Sequence, residues 1–119
     1  MPLVLLGYPA QSRVVGSGED MIEYIGMLFD WDTEKEIANV KKHGIDFAEA
    51  MTAFGDAHLQ IYADEEHSDD EDRFILIGCS KKTRLLMVCH CYRNGDNITR
   101  IISARKATPH ERKVYENGG

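Results

Sequence analysis

Residues 73–103 read RFILIGCSKKTRLLMVCHCYRNGDNITRIIS, and this stretch decides the fold, because three apolar segments alternate in it with two short polar ones. Ile, Leu, Val and aromatic residues are typical of strands. We therefore predict three strands: Arg73–Cys79, Arg84–Tyr92 and Asn97–Ser103. The connections Ser80–Thr83 and Arg93–Asp96 are short enough for hairpins, so the strands should be consecutive and antiparallel.

Upstream of these strands the pattern changes to helical spacing. Met27–Trp31 is a short strand candidate, and Thr33 followed by Glu36 is a capping-box pattern. It predicts a helix that runs to about His43, where Gly44 can take the left-handed closing conformation. A second helix should begin after Asp46 and end before Gly55, with apolar residues at helical spacing. One further short strand is expected at His58–Tyr62.

Thr108-Pro109-His110-Glu111 combines a cap, a first-turn proline and an acid, which predicts a short terminal helix to Tyr115 or Glu116. The fold class is therefore α+β: two N-terminal helices packed on an antiparallel sheet of about four to five strands, with a short C-terminal helix. The 119 residues suit one domain. We assign it to residues 27–119. Residues 1–26 lack a sustained period, so we expect an extension or a misassigned start, in which Glu19–Ile25 can form one or two helical turns.

Composition and charge narrow the class of protein. No stretch approaches the ~18 consecutive apolar residues of a membrane span, and the three cysteines suit a reducing compartment, so we expect a cytoplasmic protein. The net charge of −6 argues against indiscriminate coating of nucleic acid. Residues 27–72 nevertheless carry three basic and fourteen acidic side chains, whereas residues 73–119 carry ten basic and three acidic ones. This split indicates two differently charged faces, unless the charges simply pair or are solvated.

The sequence lacks the motifs of several common enzyme and metal-binding classes. It has neither a glycine-rich phosphate loop nor a G-x-S-x-G elbow. In Cys89-His90-Cys91, strand alternation sends His90 away from both cysteines, so buried thiols are favoured over a metal site. The acidic loop Asp64–Asp72 can bind a metal ion, but it lacks the register of a calcium loop and is favoured as a solvated loop. We therefore expect no cofactor and no metal.

The candidate catalytic residues are a basic cluster and two histidines. Arg100, Arg105 and Lys106 lie on or beside the last strand, and guanidinium groups there can hold the charge that develops on a phosphoryl oxygen. His43 and His67 can transfer protons near neutral pH, as RNA cleavage without a metal requires. The alternatives are that His43 closes a helix, that His67 is an exposed loop residue, and that the arginines pair with the acidic loop.

The ordered set of motifs resembles the BrnT family of ribonuclease toxins. These motifs are FDWD at residues 29–32, NxxKHGIxFxEA at 39–50, DxxHSxxEDRF at 64–74, Ile77-Gly78, RIISARKAT at 100–108 and ERxxY at 111–115. The resemblance covers about residues 27–116. It implies a RelE-like fold, RNA cleavage that blocks translation, and inhibition by a BrnA-like antitoxin through which the complex binds operator DNA.

We therefore expect a metal-independent endoribonuclease in which Arg100 and Arg105 bind the scissile phosphate, Lys106 assists, and His67 or His43 transfers protons. A second hypothesis is a non-catalytic protein-binding module that acts only through its partner, because the net charge is acidic and no clear acid/base pair is present. A third is a metal-binding regulator built on Asp64–Asp72. We expect an antitoxin to bind the basic half of the chain and neutralise its charge. The alternative partner is a second copy of this protein, which would pair through a strand edge.

Overall fold

The computed structural model describes residues 13–15, 21–65, 72–95 and 97–118. We number its elements in chain order. The strands are β1 Arg13–Val15, β2 Met21–Tyr24, β3 Met27–Trp31, β4 Gln60–Ala63, β5 Phe74–Cys79, β6 Leu85–Arg93 and β7 Ile98–Lys106. The helices are α1 Thr33–His43, α2 Phe47–Thr52 and α3 Pro109–Glu116, and a 3₁₀ turn, Ala53–Gly55, follows α2.

The strands form one sheet in the order β1-β2-β3-β7-β6-β5-β4. The predicted α+β class and the antiparallel order of β5, β6 and β7 are confirmed. The prediction of a wholly antiparallel sheet of four to five strands is wrong, since the described residues form seven strands and β3 pairs parallel with β7. A parallel pair needs a long crossover, and here the whole segment from α1 to β6 supplies it. Local sequence patterns carry no signal for such a distant pairing.

The helix ends follow from short-range hydrogen bonds. The predicted Thr33 cap is wrong: the carboxylate of Asp32 accepts the backbone N–H of Glu34 at 2.8 Å, so Asp32 is the cap and Thr33 is the first helical residue. Glu36 instead accepts the indole N–H of Trp31 at 3.2 Å and the backbone N–H of Phe47 at 2.9 Å, which ties β3, α1 and α2 together. Gly44 ends α1 at a φ of 72°, as predicted.

Helices α1 and α2 cover one face of the sheet, which we call the inner face. Ile45, α2 and the 3₁₀ turn pack there against residues of β2, β3, β5, β6 and β7: the cluster is Tyr24, Phe29, Ile45, Phe47, Ala50, Met51, Ala53, Phe54, Leu76, Leu86, Val88, Ile101 and Ala104. Gly78 permits the close approach of the 3₁₀ turn, because a Cβ there would lie 2.8 Å from the carbonyl oxygen of Ala53.

Asn39 extends the sheet where β3 ends. Its side-chain amide donates to the carbonyl oxygen of Ala104 at 2.8 Å and its side-chain oxygen accepts the N–H of Ala104 at 3.0 Å, in the manner of a neighbouring strand. The same amide also donates to the carbonyl of Ile45 at 2.9 Å. This buried amide therefore satisfies the free edge of β7 and holds α1 against it.

Residues before position 27 also contribute to the sheet. The suggestion of helical turns within Glu19–Ile25 is wrong for the described part, because Met21–Tyr24 is a strand paired with β3 and Tyr24 is buried in the core. Tertiary pairing decides the conformation of so short a segment. The assignment of residues 1–26 as an extension stays a prediction. No helix in the described ranges is long and apolar enough to cross a membrane.

Candidate active site

A β-bulge in β7 brings Arg100 and Arg105 to the same face of the sheet. Five positions separate them, so regular alternation would place them on opposite faces. Cys89 pairs with Ser103 and His90 pairs with Ile101, which leaves Ile102 as an extra residue between the two pairs. Arg100 therefore lies opposite Cys91 and Arg105 opposite Met87, on the outer face, the one that α1 and α2 leave uncovered. Four residues of β6 correspond to ~13 Å between the two positions.

Glu111 of α3 holds the guanidinium of Arg105 in a bidentate pair. Its two carboxylate oxygens accept from Nη1 and Nη2 at 2.9 Å each. The hydrogen bonds raise the pKa of Arg105 above its usual value and hold the pKa of Glu111 below its own. The same carboxylate accepts the N–H of Thr108 at 2.8 Å, which forms a capping box with the predicted Thr108 cap of α3. One acid thus caps the helix and orients a candidate catalytic arginine.

Asp30 of β3 holds Arg100 in the same way. Nε donates to Oδ1 at 3.1 Å and Nη2 to Oδ2 at 3.2 Å, and Asp30 is buried. These hydrogen bonds raise the pKa of Arg100 further. Among the described residues, the carboxylates that bind the two arginines lie on β3 and α3, whereas residues 66–71 of the acidic loop lie outside the described residues. Each guanidinium is thus fixed by a carboxylate, and the side chains of Arg100 and Arg105 stay about a third exposed.

A groove of about 390 Å³ lies on the outer face beside Arg105. Its lining combines two cations, one carboxylate, two small polar or thiol side chains and three apolar side chains: Arg105, Arg73, Asp64, Ser103, Cys89, Ile75, Met87 and Ile102. Arg73 is the site residue that the sequence reasoning missed. Its signal is position, because it precedes Phe74, which stacks on His90 in the interior, and alternation then turns Arg73 outward.

The other predicted site residues lie elsewhere. Lys106 ends β7 and is exposed, and alternation directs it away from the face of Arg105. His43 closes α1, as the alternative interpretation of it supposed, and in the described part of the chain no contact joins it to Arg100 or Arg105. His67 lies outside the described residues. The structure therefore groups Arg100 and Arg105 on one face but adds neither Lys106 nor His43 to them.

The Cys89-His90-Cys91 segment is arranged as alternation predicts. His90 is fully buried on the inner side, with its ring against Phe54 and Phe74, whereas Cys89 lines the outer groove. Burial raises the pKa of the Cys89 thiol, so it is held protonated rather than as a metal-binding thiolate. Within residues 21–65, 72–95 and 97–118 no three His, Cys, Asp or Glu side chains are grouped as metal ligands.

Comparisons with known proteins agree with this architecture. The family described as "Ribonuclease toxin, BrnT, of type II toxin-antitoxin system" matches residues 31–111. A solved structure, the Brucella abortus ribonuclease toxin BrnT, has a similar fold, with a TM-score of 0.51 and 24% sequence identity over 67% of this chain and 95% of the other. No curated protein matches. Because the match covers more than half of the chain, this protein belongs to the BrnT family of type II toxin–antitoxin ribonuclease toxins.

Proposed function

We propose that this toxin is a metal-independent endoribonuclease that cleaves cellular RNA and thereby inhibits translation in the cytoplasm. The observation that carries the proposal is the β-bulge, which puts Arg100 and Arg105 on one open face of the sheet. The oriented guanidinium of Arg105 supplies, without a metal ion, positive charge that stabilises a phosphoryl oxygen in the transition state, and Arg100 holds the RNA farther along the same face. Lys106 ends β7 on the opposite face from Arg105 and is assigned no contact with the phosphate.

In the proposed reaction the ribose 2′-oxygen attacks the neighbouring phosphorus and the 5′-oxygen leaves. A base accepts the proton of the 2′-hydroxyl and an acid protonates the 5′-oxygen, so the products are a 2′,3′-cyclic phosphate and a 5′-hydroxyl. Arg105 binds the oxygens of the scissile phosphate, and Arg100, ~13 Å farther along the outer face, binds another phosphate of the same RNA strand. His67 is our first candidate for proton transfer and His43 is the second, because imidazole titrates near neutral pH.

Incubation of the purified toxin with RNA in the presence of EDTA tests this proposal. We expect cleavage with 2′,3′-cyclic phosphate ends. Arg105→Ala should lower kcat by ~10²-fold or more, because it removes a preorganised donor to the transition state. His67→Ala should lower kcat by ~10²-fold and remove the limb of the pH–rate profile that belongs to the proton-transfer group. The same result for His43→Ala would assign proton transfer to His43.

Lys41→Gln is the matched control, since it removes one positive charge from the exposed surface of α1, away from the outer face. It should leave the rate unchanged. The proposal fails if the wild type does not cut RNA in EDTA, or if the double variant Arg105→Ala, His67→Ala cuts it at the wild-type rate.

A second candidate function is a non-catalytic binding module. The observation that favours it is that Arg100 and Arg105 are already satisfied by Asp30 and Glu111, so their presence needs no substrate. Expression in a bacterium without the antitoxin gene separates the two functions. Growth arrest that Arg105→Ala relieves supports the enzyme, whereas normal growth with folded, soluble protein supports the module.

The proposed partner is a BrnA-like antitoxin encoded next to the toxin gene, and operator DNA is bound only through it. An acidic or amphipathic segment of the antitoxin would cover the outer face and neutralise its arginines. Purification of the tagged toxin from its native host should yield this second protein, and Arg100→Glu with Arg105→Glu should abolish most of their affinity. Recovery of the toxin alone, as a homodimer, contradicts this assignment.

A further inference from the structure

Arg73 carries an unused hydrogen-bond donor in the outer groove. Its Nε atom is buried and has no hydrogen-bond partner among the described residues. Arg100 and Arg105, by contrast, each donate at least two hydrogen bonds to a carboxylate. A buried N–H without an acceptor is costly, and native structures rarely leave one without a reason. An anionic oxygen that enters the groove beside Arg73 would remove this cost.

The rest of the groove suits a nucleotide. The guanidinium groups of Arg73 and Arg105 outnumber its one carboxylate, Asp64, and exposed Ser103 adds a hydroxyl. Three apolar side chains, those of Ile75, Met87 and Ile102, complete much of the surface. Single-stranded RNA presents this combination, because its phosphates need cations and its bases pack on apolar or aromatic surfaces.

We propose that Arg73 binds one phosphodiester group of single-stranded RNA in this groove, beside the phosphate held by Arg105. The Nε–H and one Nη–H of Arg73 donate to two non-bridging phosphate oxygens, which is the bidentate geometry that guanidinium favours. The inference rests on the proposed ribonuclease function and adds to it a substrate-binding residue. Arg73 contributes to affinity and to the register of the RNA rather than to the chemical step.

An RNA whose 2′-hydroxyl groups carry methyl groups tests the inference, because it lacks the attacking group and cannot be cleaved. The probe is a short fluorescein-labelled oligonucleotide of this kind, and fluorescence anisotropy measures its Kd. Arg73→Gln should weaken binding about tenfold, which is typical for the loss of a hydrogen-bonded charged partner. Arg73→Lys should fall between the wild type and Arg73→Gln, because it keeps the charge and loses the planar fork.

Lys41→Gln is again the control, because it removes one positive charge just as Arg73→Gln does. It should bind the RNA probe with wild-type affinity. Wild-type affinity for both Arg73 variants overturns the inference, and so does an equal loss for Lys41→Gln, which would indicate a general charge effect. Circular dichroism checks whether Arg73→Gln folds. If it does not fold, the RNA affinity of Arg73→Lys tests the inference instead, because wild-type affinity in this variant contradicts bidentate binding by Arg73. Binding does not depend on cleavage, so a wild type that binds through Arg73 without cutting RNA contradicts the proposed function alone.

Discussion

At the scale of single residues, His90 is an ionisable side chain placed in an apolar interior. It is fully buried, its Nδ1 lies 3.2 Å from the carbonyl oxygen of Val88, and its Nε2 lies 3.1 Å from the hydroxyl of Tyr92. The ring centroid of Phe54 is 5.0 Å away. Burial lowers the pKa of His90 from 6.5 to about 4, so the folded protein holds this imidazole neutral.

This depressed pKa predicts a loss of stability in mild acid. Between pH 6.5 and pH 4 the unfolded chain binds a proton at His90 that the folded chain does not, so the free energy of unfolding falls as the pH falls. We expect a loss of about 2 kcal/mol between pH 7.5 and pH 5, measured by urea unfolding. Glu49, Asp56 and Glu111, whose pKa values are lowered in the fold, contribute little to this change, because above pH 5 these carboxylates are mostly ionised in the unfolded chain as well.

The variant His90→Gln should be nearly insensitive to pH over the same range, because glutamine does not titrate. His58→Gln serves as the control, since His58 is exposed and should leave the wild-type slope intact. An undiminished pH dependence in His90→Gln would contradict the assignment of the effect to this residue.

At the scale of elements, α2 depends on tertiary contacts, because six residues form too short a helix to be stable alone. Its Glu49 is buried and accepts hydrogen bonds from Arg84 and from the hydroxyl of Ser80, the latter at 2.7 Å. Burial opposes ionisation of Glu49, but these hydrogen bonds and the charge of Arg84 outweigh it and hold its pKa below the usual value. The Glu49–Arg84 ion pair therefore anchors α2 to the turn between β5 and β6.

Glu49→Ala should therefore destabilise the fold by ~3 kcal/mol in urea unfolding, because it leaves the partly buried guanidinium of Arg84 without its partner. The double variant Glu49→Leu, Arg84→Met should recover most of this loss, since an apolar pair of similar volume avoids the desolvation cost. Glu34→Ala, on the exposed side of α1, should change stability by less than ~0.5 kcal/mol. A loss at Glu49→Ala as small as that of Glu34→Ala would disprove the anchoring role.

At the scale of the whole molecule, the fold separates the charges that the sequence distributes along the chain. The net charge is −6, yet Arg73, Arg100 and Arg105 are all on or beside the outer face, where the sheet is not covered by α1 and α2. A protein of this charge does not attract RNA by its overall field, so binding depends on these few guanidinium groups.

The salt dependence of RNA binding should consequently be shallow. Three phosphate contacts to a single strand predict that log K falls with log salt concentration with a slope of about −2, at ~0.7 for each phosphate. Titration of the methylated RNA probe at several salt concentrations measures this slope, and Arg73→Gln should reduce it by ~0.7. A slope several times steeper would show that many surface cations bind RNA and would contradict a local site.

Local chemistry in the sequence determined much of the fold. The end of α1 at His43, the closing glycine Gly44, the Thr108 cap of α3 and the order of the hairpin strands β5 to β7 were all predictable, because each depends on residues within a few positions of one another. The candidate arginines Arg100 and Arg105 were also found from their position at the end of a strand. Their shared face was not.

The tertiary structure alone decided how these pieces meet. The parallel pairing of β3 with β7 joins residues about 70 positions apart, as Asp30 and Arg100 illustrate, and no local pattern records it. The bulge at Ile102 exists only in register with β6, and it alone turns Arg100 and Arg105 to one face. Arg73 became a candidate only when the groove and its unpaired Nε were visible. The physical reason is that propensity and capping act along the chain, whereas strand register, burial and hydrogen-bond satisfaction are settled between segments that only the folded chain brings together.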